Sequence, residues 1–496
     1  MKKFFNILLI MLLYSFSIFS IDWRCNNEVL TISGNGPIND FDRFEKTPWE
    51  KYNGEITSIV VSEGITNIGN YAFSNCSNVK KVQLPSTLER IGKLSFAWCS
   101  SLEDIELPSN ITKIDDYAFY KCKNITELLI PSPVDFIGKG AFSGCEKLES
   151  MILPSNIVCI GDNTFSECKN LTNIELGTDI TTIGSCAFKG CNNLTSILIP
   201  SSVSLIGDSA FRGCKKLKNL IIPPNVKYIG IKAFSDCYNL ESIEMNTQIK
   251  AIKTGTFSNC ENLTEINIPA SISNIEDYAF QCCKNLKKIT VNSYLEKIGD
   301  YAFYNCNSLE EIRFPLGLKY IGKKAFSKCY DLMSVDNLSG LTFLGSKSFE
   351  NCYKLESIIL PEGLTNIQEG TFYNCENLDI IEIPSSVTNI DSAAFHGCKK
   401  LSKINIPSGI SIINSYTFSG CKSLETIEIN GKIISIGDRA FDGCKSLQEI
   451  KLPSTLTSIG SYAFVGCYNI SVIELPENLT NIGRYAFPES CKIIRK

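Results

Sequence analysis

The chain has 496 residues, and its 48 lysines and arginines nearly balance 52 acidic residues, for a net charge of −4. The two signs intersperse without a basic tract, which argues against nucleic acid as a principal partner. A single histidine, His396, and the absence of a glycine-rich phosphate loop or a histidine-containing metal motif leave little from which to build a catalytic or metal centre.

The first twenty residues, MKKFFNILLIMLLYSFSIFS, place Lys2 and Lys3 before an apolar run. This pattern predicts a secretory signal peptide over residues 1–20, cleaved near Ser20. An uncleaved anchor is the alternative, although the run is short for a spanning helix. No second apolar stretch follows, so the mature form is expected to be exported and to have no integral membrane span.

Residues 21–55 gather Trp23, Phe41, Phe44, Trp49 and Tyr52 around the stretch LTISGNGPIND. A repeat array exposes an apolar cross-section at its first turn, and aromatic rings cover much area per residue. The segment is therefore expected to be an N-terminal cap.

From Phe73 onward a phenylalanine recurs every 23 residues, nineteen times, through Phe487. A cysteine follows three residues behind the first eighteen, from Cys76 to Cys467, and shifts by one to Cys491 in the last turn. So strict a period predicts stacked units: a solenoid of about nineteen turns over residues 56–491, with a polar tail over 492–496. In the unit from Phe96 to Phe119, Ile105 and Leu107 alternate with Asp104 and Glu106, the periodicity of a strand. Proline then ends the strand in thirteen of eighteen repeats. Ile111 and Ile114 turn inward, and the Ile114 position is Ile in seventeen of eighteen repeats, with Leu344 as the exception. Asp116 and its counterparts Asp162, Asp208, Asp277, Asp300 and Asp438 stand where they could cap a short helical turn carrying the Phe into the core. Glycine after the conserved Ile, as at Gly92 and Gly138, suggests tight passage of the chain. Lys253, Glu276 and Gln368 at the same place argue against a required positive φ.

The regular cysteines are expected to form a reduced, buried ladder, with rung-to-rung disulfides as the alternative. Cys25, Cys159, Cys186, Cys282 and Cys491 lie off that register. His396 occupies a variable position next to Phe395 and is expected to face solvent. No enzymatic activity, cofactor or metal is expected.

Ten residues after each Phe the side chain should point outward from the strand. Most copies are polar, but Leu129, Ile152, Leu198 and Ile221 form an apolar stripe interrupted by Glu175, with Ile359 as a lone later case. Such patches mark recognition surfaces, so these four residues are the ligand-binding candidates. Drift of the strand toward the core is the competing explanation.

The unit LxxIxLPxxIxxIGxxAFxxCxx resembles the leucine-rich repeats of the bacterial surface antigen A-like (BspA-like) family, including treponemal repeat proteins. Trp23, LTISGNGPIND, Pro48-Trp49 and Tyr52 resemble the cap that precedes those repeats. The resemblance implies an α/β leucine-rich repeat solenoid, right-handed, with a parallel sheet on its concave side and short helical turns and extended segments elsewhere. It also implies a secreted or cell-surface protein that binds an extracellular protein or glycan, adhesin-like. A structural or self-associating envelope scaffold is the second reading.

Overall fold

The computed structural model describes residues 21–245, 247–291 and 294–495; the expected signal peptide lies outside the described residues. The described residues form two units, divided after Leu240, each made of stacked coils. The coils build two parallel ladders, one more than the sequence suggested, the first interrupted at some coils, as around Leu129 and Leu198. The first carries the LxxIxL segments: Ser58–Val61, Lys81–Gln83 and Asp104–Ile105 in the first unit, and Glu265–Asn267 through Ser357–Ile358 in the second. The second carries the conserved Ile and its predecessor, as in Arg90–Ile91, Lys113–Ile114 and Phe136–Ile137, or Asn274–Ile275, Lys297–Ile298 and Tyr320–Ile321. Register follows the repeat. Val82 pairs with Ile105 and Ile275 with Ile298, each 23 residues on.

The expected helical turns are not there, and the α/β assignment is corrected to a parallel β-solenoid with almost no helix. Among the described residues the one helical element is a single 3₁₀ turn, Glu50–Tyr52, in the cap. The turn around each Phe fails to become helical because its backbone bonds go elsewhere. In one coil, the N–H groups of Tyr301, Phe303 and Asn305 donate to the carbonyls of Lys323, Ala325 and Ser327 in the next coil. Between them, Tyr304 and Cys306 donate to Tyr301 and Phe303 within the turn. A helix would direct all five of these N–H groups back along the chain. The alternation requires left-handed backbone on both sides of the Phe, seen at Tyr301 (φ 56°) and Asn305 (φ 63°). Asparagine and glycine adopt this conformation most cheaply, and they fill much of the column two residues after Phe, as at Asn75, Asn259, Gly420 and Gly443.

The aspartates assigned to helix capping reach across coils instead. Oδ1 of Asp116 accepts from the Lys139 N–H at 2.9 Å, and Asp208, Asp300 and Asp438 accept from Ile231, Lys323 and Ser461 in the same way. Each satisfies an N–H that the turn would leave without a partner. Gly92 does mark tight passage: a Cβ there would stand 2.6 Å from the Ile68 carbonyl oxygen, and its φ is not positive. Lys492–Arg495, read from the sequence as a tail, forms a strand parallel to Val472–Leu475.

Side chains stack on their own copies. Phe96 and Phe119 lie 5.5 Å apart and 4° from parallel; Phe280 and Phe303 lie 5.1 Å apart at 2°. Both pairs are fully buried. Each such ring contributes about 1.5–3 kcal/mol of transfer free energy. At the first coil the column continues into the cap: Trp49 stacks on Phe73 at 5.7 Å, donates its indole N–H to the Ala72 carbonyl at 2.8 Å, and meets Trp23 and Phe41 edge-on.

The cysteines have a specific task in this stack. Cys76 donates to Oδ1 of Asn53 in the cap at 3.5 Å, whereas ladder thiols after the first donate to the carbonyl of the Phe in the preceding coil, as Cys122 does to Phe96 at 3.0 Å, Cys306 to Phe280 at 3.2 Å and Cys467 to Phe441 at 3.1 Å. The same carbonyl also accepts the N–H of its own coil's cysteine, as Phe303 does from Cys306, so both lone pairs are used. All the cysteines are free thiols here. Burial pushes Cys76, Cys145 and Cys237 up to about 12.

Two measurements follow from this packing. Ile275→Asp places an unpaired carboxylate at a fully buried rung; we expect severe local unfolding, and a thermal stability near that of the wild type in the variant would contradict the core assignment. In native protein, a thiol reagent at neutral pH should label no more than the five off-register cysteines, and the eighteen ladder thiols should appear only after denaturation under non-reducing conditions. Ladder thiols still missing after denaturation would mean that they are disulfide-bonded.

Candidate functional site

The stripe lies in the first unit, on the outward side of the first ladder. Leu129 and Leu198 are 78% and 81% exposed, Ile152 and Ile221 both 56%. Their inward neighbours, Leu128, Met151, Ile197 and Leu220, are buried, so strand alternation holds through these coils and the side chains do not drift toward the core. Ile152 and Ile221 sit on strands, Ser150–Ile152 and Asn219–Ile222. Leu129 and Leu198 sit on stretches outside the regular ladder. Ile152 is directly opposite Glu175 in register. One coil on, Glu175, Thr178, Leu198 and Ser201 help to line a shallow groove of roughly 450 Å³. At about 4.8 Å per strand, the stripe from Leu129 to Ile221 runs about 19 Å. Its one ionisable member is Glu175; it offers apolar contact and little chemistry. Ile359, in the second unit, is 84% exposed and stands apart from it.

His396 differs from its expected solvent-facing position. It is half-buried, its ring stacks on Tyr373 at 4.6 Å and it meets Tyr416 edge-on, while its Nδ1 is buried without a hydrogen-bond partner. Burial holds its pKa below the ordinary value of 6.5, with the Asp442 carboxylate opposing. Among the described residues, no group of three or more His, Cys, Asp or Glu side chains could hold a metal ion, and no helix is long and apolar enough to cross a membrane.

Sequence reasoning missed two surfaces on the turn side of the coils. In the second unit, tyrosines at the left-handed position two residues before Phe stack in pairs, Tyr278 on Tyr301 at 5.1 Å and Tyr462 on Tyr485 at 5.4 Å, with the Arg439 guanidinium over Tyr462 at 4.6 Å. The signal was the recurrence of Tyr at that position. In the first unit, the cap loop and the first coils enclose a cleft of about 610 Å³ lined in part by Phe44, Tyr71 and Trp98.

Parallel ladders repeating every 23 residues, with stacked Ile, Phe and Cys columns, define a leucine-rich repeat solenoid. The model of the BspA type leucine rich repeat region matches residues 51–172, 158–287, 273–402 and 388–495. The chain belongs to that family. Among solved structures it is similar to a leucine-rich repeat protein from Bacteroides ovatus, at 32% identity and a TM-score of 0.60, over 74% of this chain and 91% of that one. A leucine-rich repeat protein from Eubacterium ventriosum matches at 24% identity and a TM-score of 0.39, over 66% of this chain and 95% of that one. A leucine rich cell surface protein from Faecalibacterium prausnitzii matches at 23% identity and a TM-score of 0.28, over 83% and 93%. No curated protein matches the chain.

The lowered His396 pKa sets a direction for stability against pH. The unfolded chain holds the imidazole proton more tightly than the folded one, so the contribution is complete above pH 6.5 and is lost as pH falls through the lower folded value. The wild type should lose Tm between pH 7 and 5 relative to His396→Gln; parallel Tm curves for the two proteins would contradict this.

Proposed function

We propose that this chain is an exported or cell-surface binding protein, non-enzymatic and adhesin-like, that docks a protein of a host or neighbouring cell on its first ladder around Leu129, Ile152, Leu198 and Ile221. The observation that carries the reading is the exposure of these four side chains on coils whose in–out alternation of buried and exposed residues is otherwise regular. Isolated exposed leucines are ordinary, whereas a column of them on neighbouring coils favours recognition. A protein surface suits the stripe better than a glycan, because the column offers one carboxylate and otherwise only apolar contact. The Lys2–Lys3 and apolar leader of the sequence supports export. The family supports a scaffold whose rigid coils hold side chains at fixed spacing for a large partner.

A binding screen of the mature protein against extracellular-matrix and plasma proteins tests the reading, with light scattering alongside. Saturable binding of a matrix or plasma protein that falls at least about tenfold, about 1.4 kcal/mol, in the double variant Leu129→Glu, Leu198→Glu supports it. Unchanged affinity in that variant would remove the stripe from the site. Concentration-dependent assembly without any ligand would favour a self-associating envelope scaffold instead.

A further inference from the structure

The cleft between the cap loop and the first coils has the size of a small-molecule site and a largely polar lining broken by aromatic rings, and its residues are distinct from those of the stripe. Its volume, about 610 Å³, falls within the range of about 300–1,000 Å³ typical of such sites. One wall is the loop over residues 42–47. Oδ1 of Asp42 accepts from the Phe44 and Glu45 N–H groups at 2.7 and 2.8 Å, which fixes the loop and presents the Phe44 ring at 88% exposure. A loop that only sealed the first coil would turn that ring inward, as the same cap does with Trp49, which is 2% exposed.

The other wall is formed by Tyr71, Leu94 and Trp98. Trp98 has left-handed backbone, φ 61°. Its column, two residues after Phe, holds asparagine, glycine or charged residues in most other coils and no other aromatic. The coil-to-coil bond from the Trp98 N–H to the Tyr120 carbonyl holds this backbone, so what sets Trp98 apart is a ring in a column otherwise free of aromatics. Nor does the ring fill the core: it is 37% exposed. Its orientation is fixed from behind, by Tyr120 edge-on at 5.2 Å, which Tyr117 in turn meets edge-on at 5.7 Å. A preorganised aromatic face open to a cleft is what a stacking ligand needs.

Charge narrows the ligand. Three acidic side chains (Asp42, Glu45 and Glu50) and two basic ones (Arg43 and Lys46) line the cleft, a near balance, with Lys46 paired to Glu50 at 3.6 Å and Asp42 accepting from its own loop. The cleft therefore favours neither a strong anion nor a strong cation. The lining also includes Thr47, Ser74 and Asn75, whose hydroxyl and amide groups both donate and accept. We propose that this cleft binds a neutral saccharide, with the C–H face of a sugar ring stacked on Trp98 and its hydroxyls bonded to the Thr47, Ser74, Asn75 and Glu45 side chains.

Calorimetric titration of the intact protein with cellotetraose, maltotetraose, mannotetraose and chitotetraose, and separately with choline chloride, tests this. Trp98→Asn replaces the ring with a residue native to its column and suited to left-handed backbone, so the coil should keep its fold, checked by an unchanged or raised Tm. Saturable binding of at least one tetrasaccharide, weakened about tenfold or more by Trp98→Asn and also by Phe44→Ala, would support the site. No binding of any of the four, or binding that Trp98→Asn leaves unchanged, would overturn it. Choline binding without saccharide binding would also overturn it, in favour of an aromatic cage for cations. Both variants leave Leu129 and Leu198 untouched, so loss of saccharide binding with retained protein binding separates this site from the stripe.

Discussion

The Phe carbonyl is the group on which the coil depends. It accepts a backbone N–H from its own turn and a thiol S–H from the next coil, so one oxygen closes the turn and ties it to its neighbour. A buried carbonyl left with an unused lone pair loses little, but a buried N–H left alone costs about 1–3 kcal/mol. The turn meets the second demand by sending alternate N–H groups to the following coil. The 23-residue period permits no insertion for this reason. A single extra residue would shift the N–H groups, the thiol and the phenyl ring out of line with their copies together. Cysteine suits the position because it is small, apolar and still a weak donor. Serine could donate as well but would bring a stronger polar group into a stack of hydrocarbon.

These requirements explain which features could be read from the sequence. Phe73, Ile114 and Cys122 announce themselves because each packs against its own copy, and identity is the simplest way for a column to fit itself. The strand alternation at Ile105 and Leu107 was equally plain. The turn chemistry was not. An aspartate three residues before a buried Phe has the same appearance whether its carboxylate caps a helix or reaches the next coil, and the sequence contains no mark of which N–H it will meet. The left-handed positions were hidden for a similar reason. Asn and Gly after Phe pointed to them, but Tyr, Lys and Arg occupy the matching position before Phe, as at Tyr301, Lys324 and Arg439. Coil-to-coil hydrogen bonds hold those residues in a conformation their side chains disfavour, an override of local preference by tertiary contacts. The last strand, Lys492–Arg495, escaped notice because its pattern lacks the leucine spacing of the others.

The candidate sites divide along the same line. Leu129 and Leu198 could be found from sequence because strand periodicity assigns a face to each residue. The cap cleft could not. It depends on where a loop outside the repeat folds back, and no period governs residues 42–47. Trp98 was nevertheless visible as a departure from its column.

A repeat protein of this kind separates structure from recognition unusually cleanly. Stacking fixes the inward columns and the turn backbone, so substitutions there act on stability first. The outward columns meet only solvent and their own copies, and little in the fold dictates what they carry. An outward residue that no other coil of its column matches therefore has a stronger claim to function than one that is merely apolar. By that measure Trp98 outranks Leu129. Leu129 costs the coil only the exposure of hydrocarbon, whereas Trp98 places a large ring in a column otherwise free of aromatics, where asparagine or glycine serves other coils. The cap strengthens the contrast: its Trp49 ends the Phe column from within, while Phe44, a few residues earlier, faces the same cleft as Trp98. Two aromatic rings from a loop and a coil, neither needed to bury the other, face one space, and a ligand between them accounts for both.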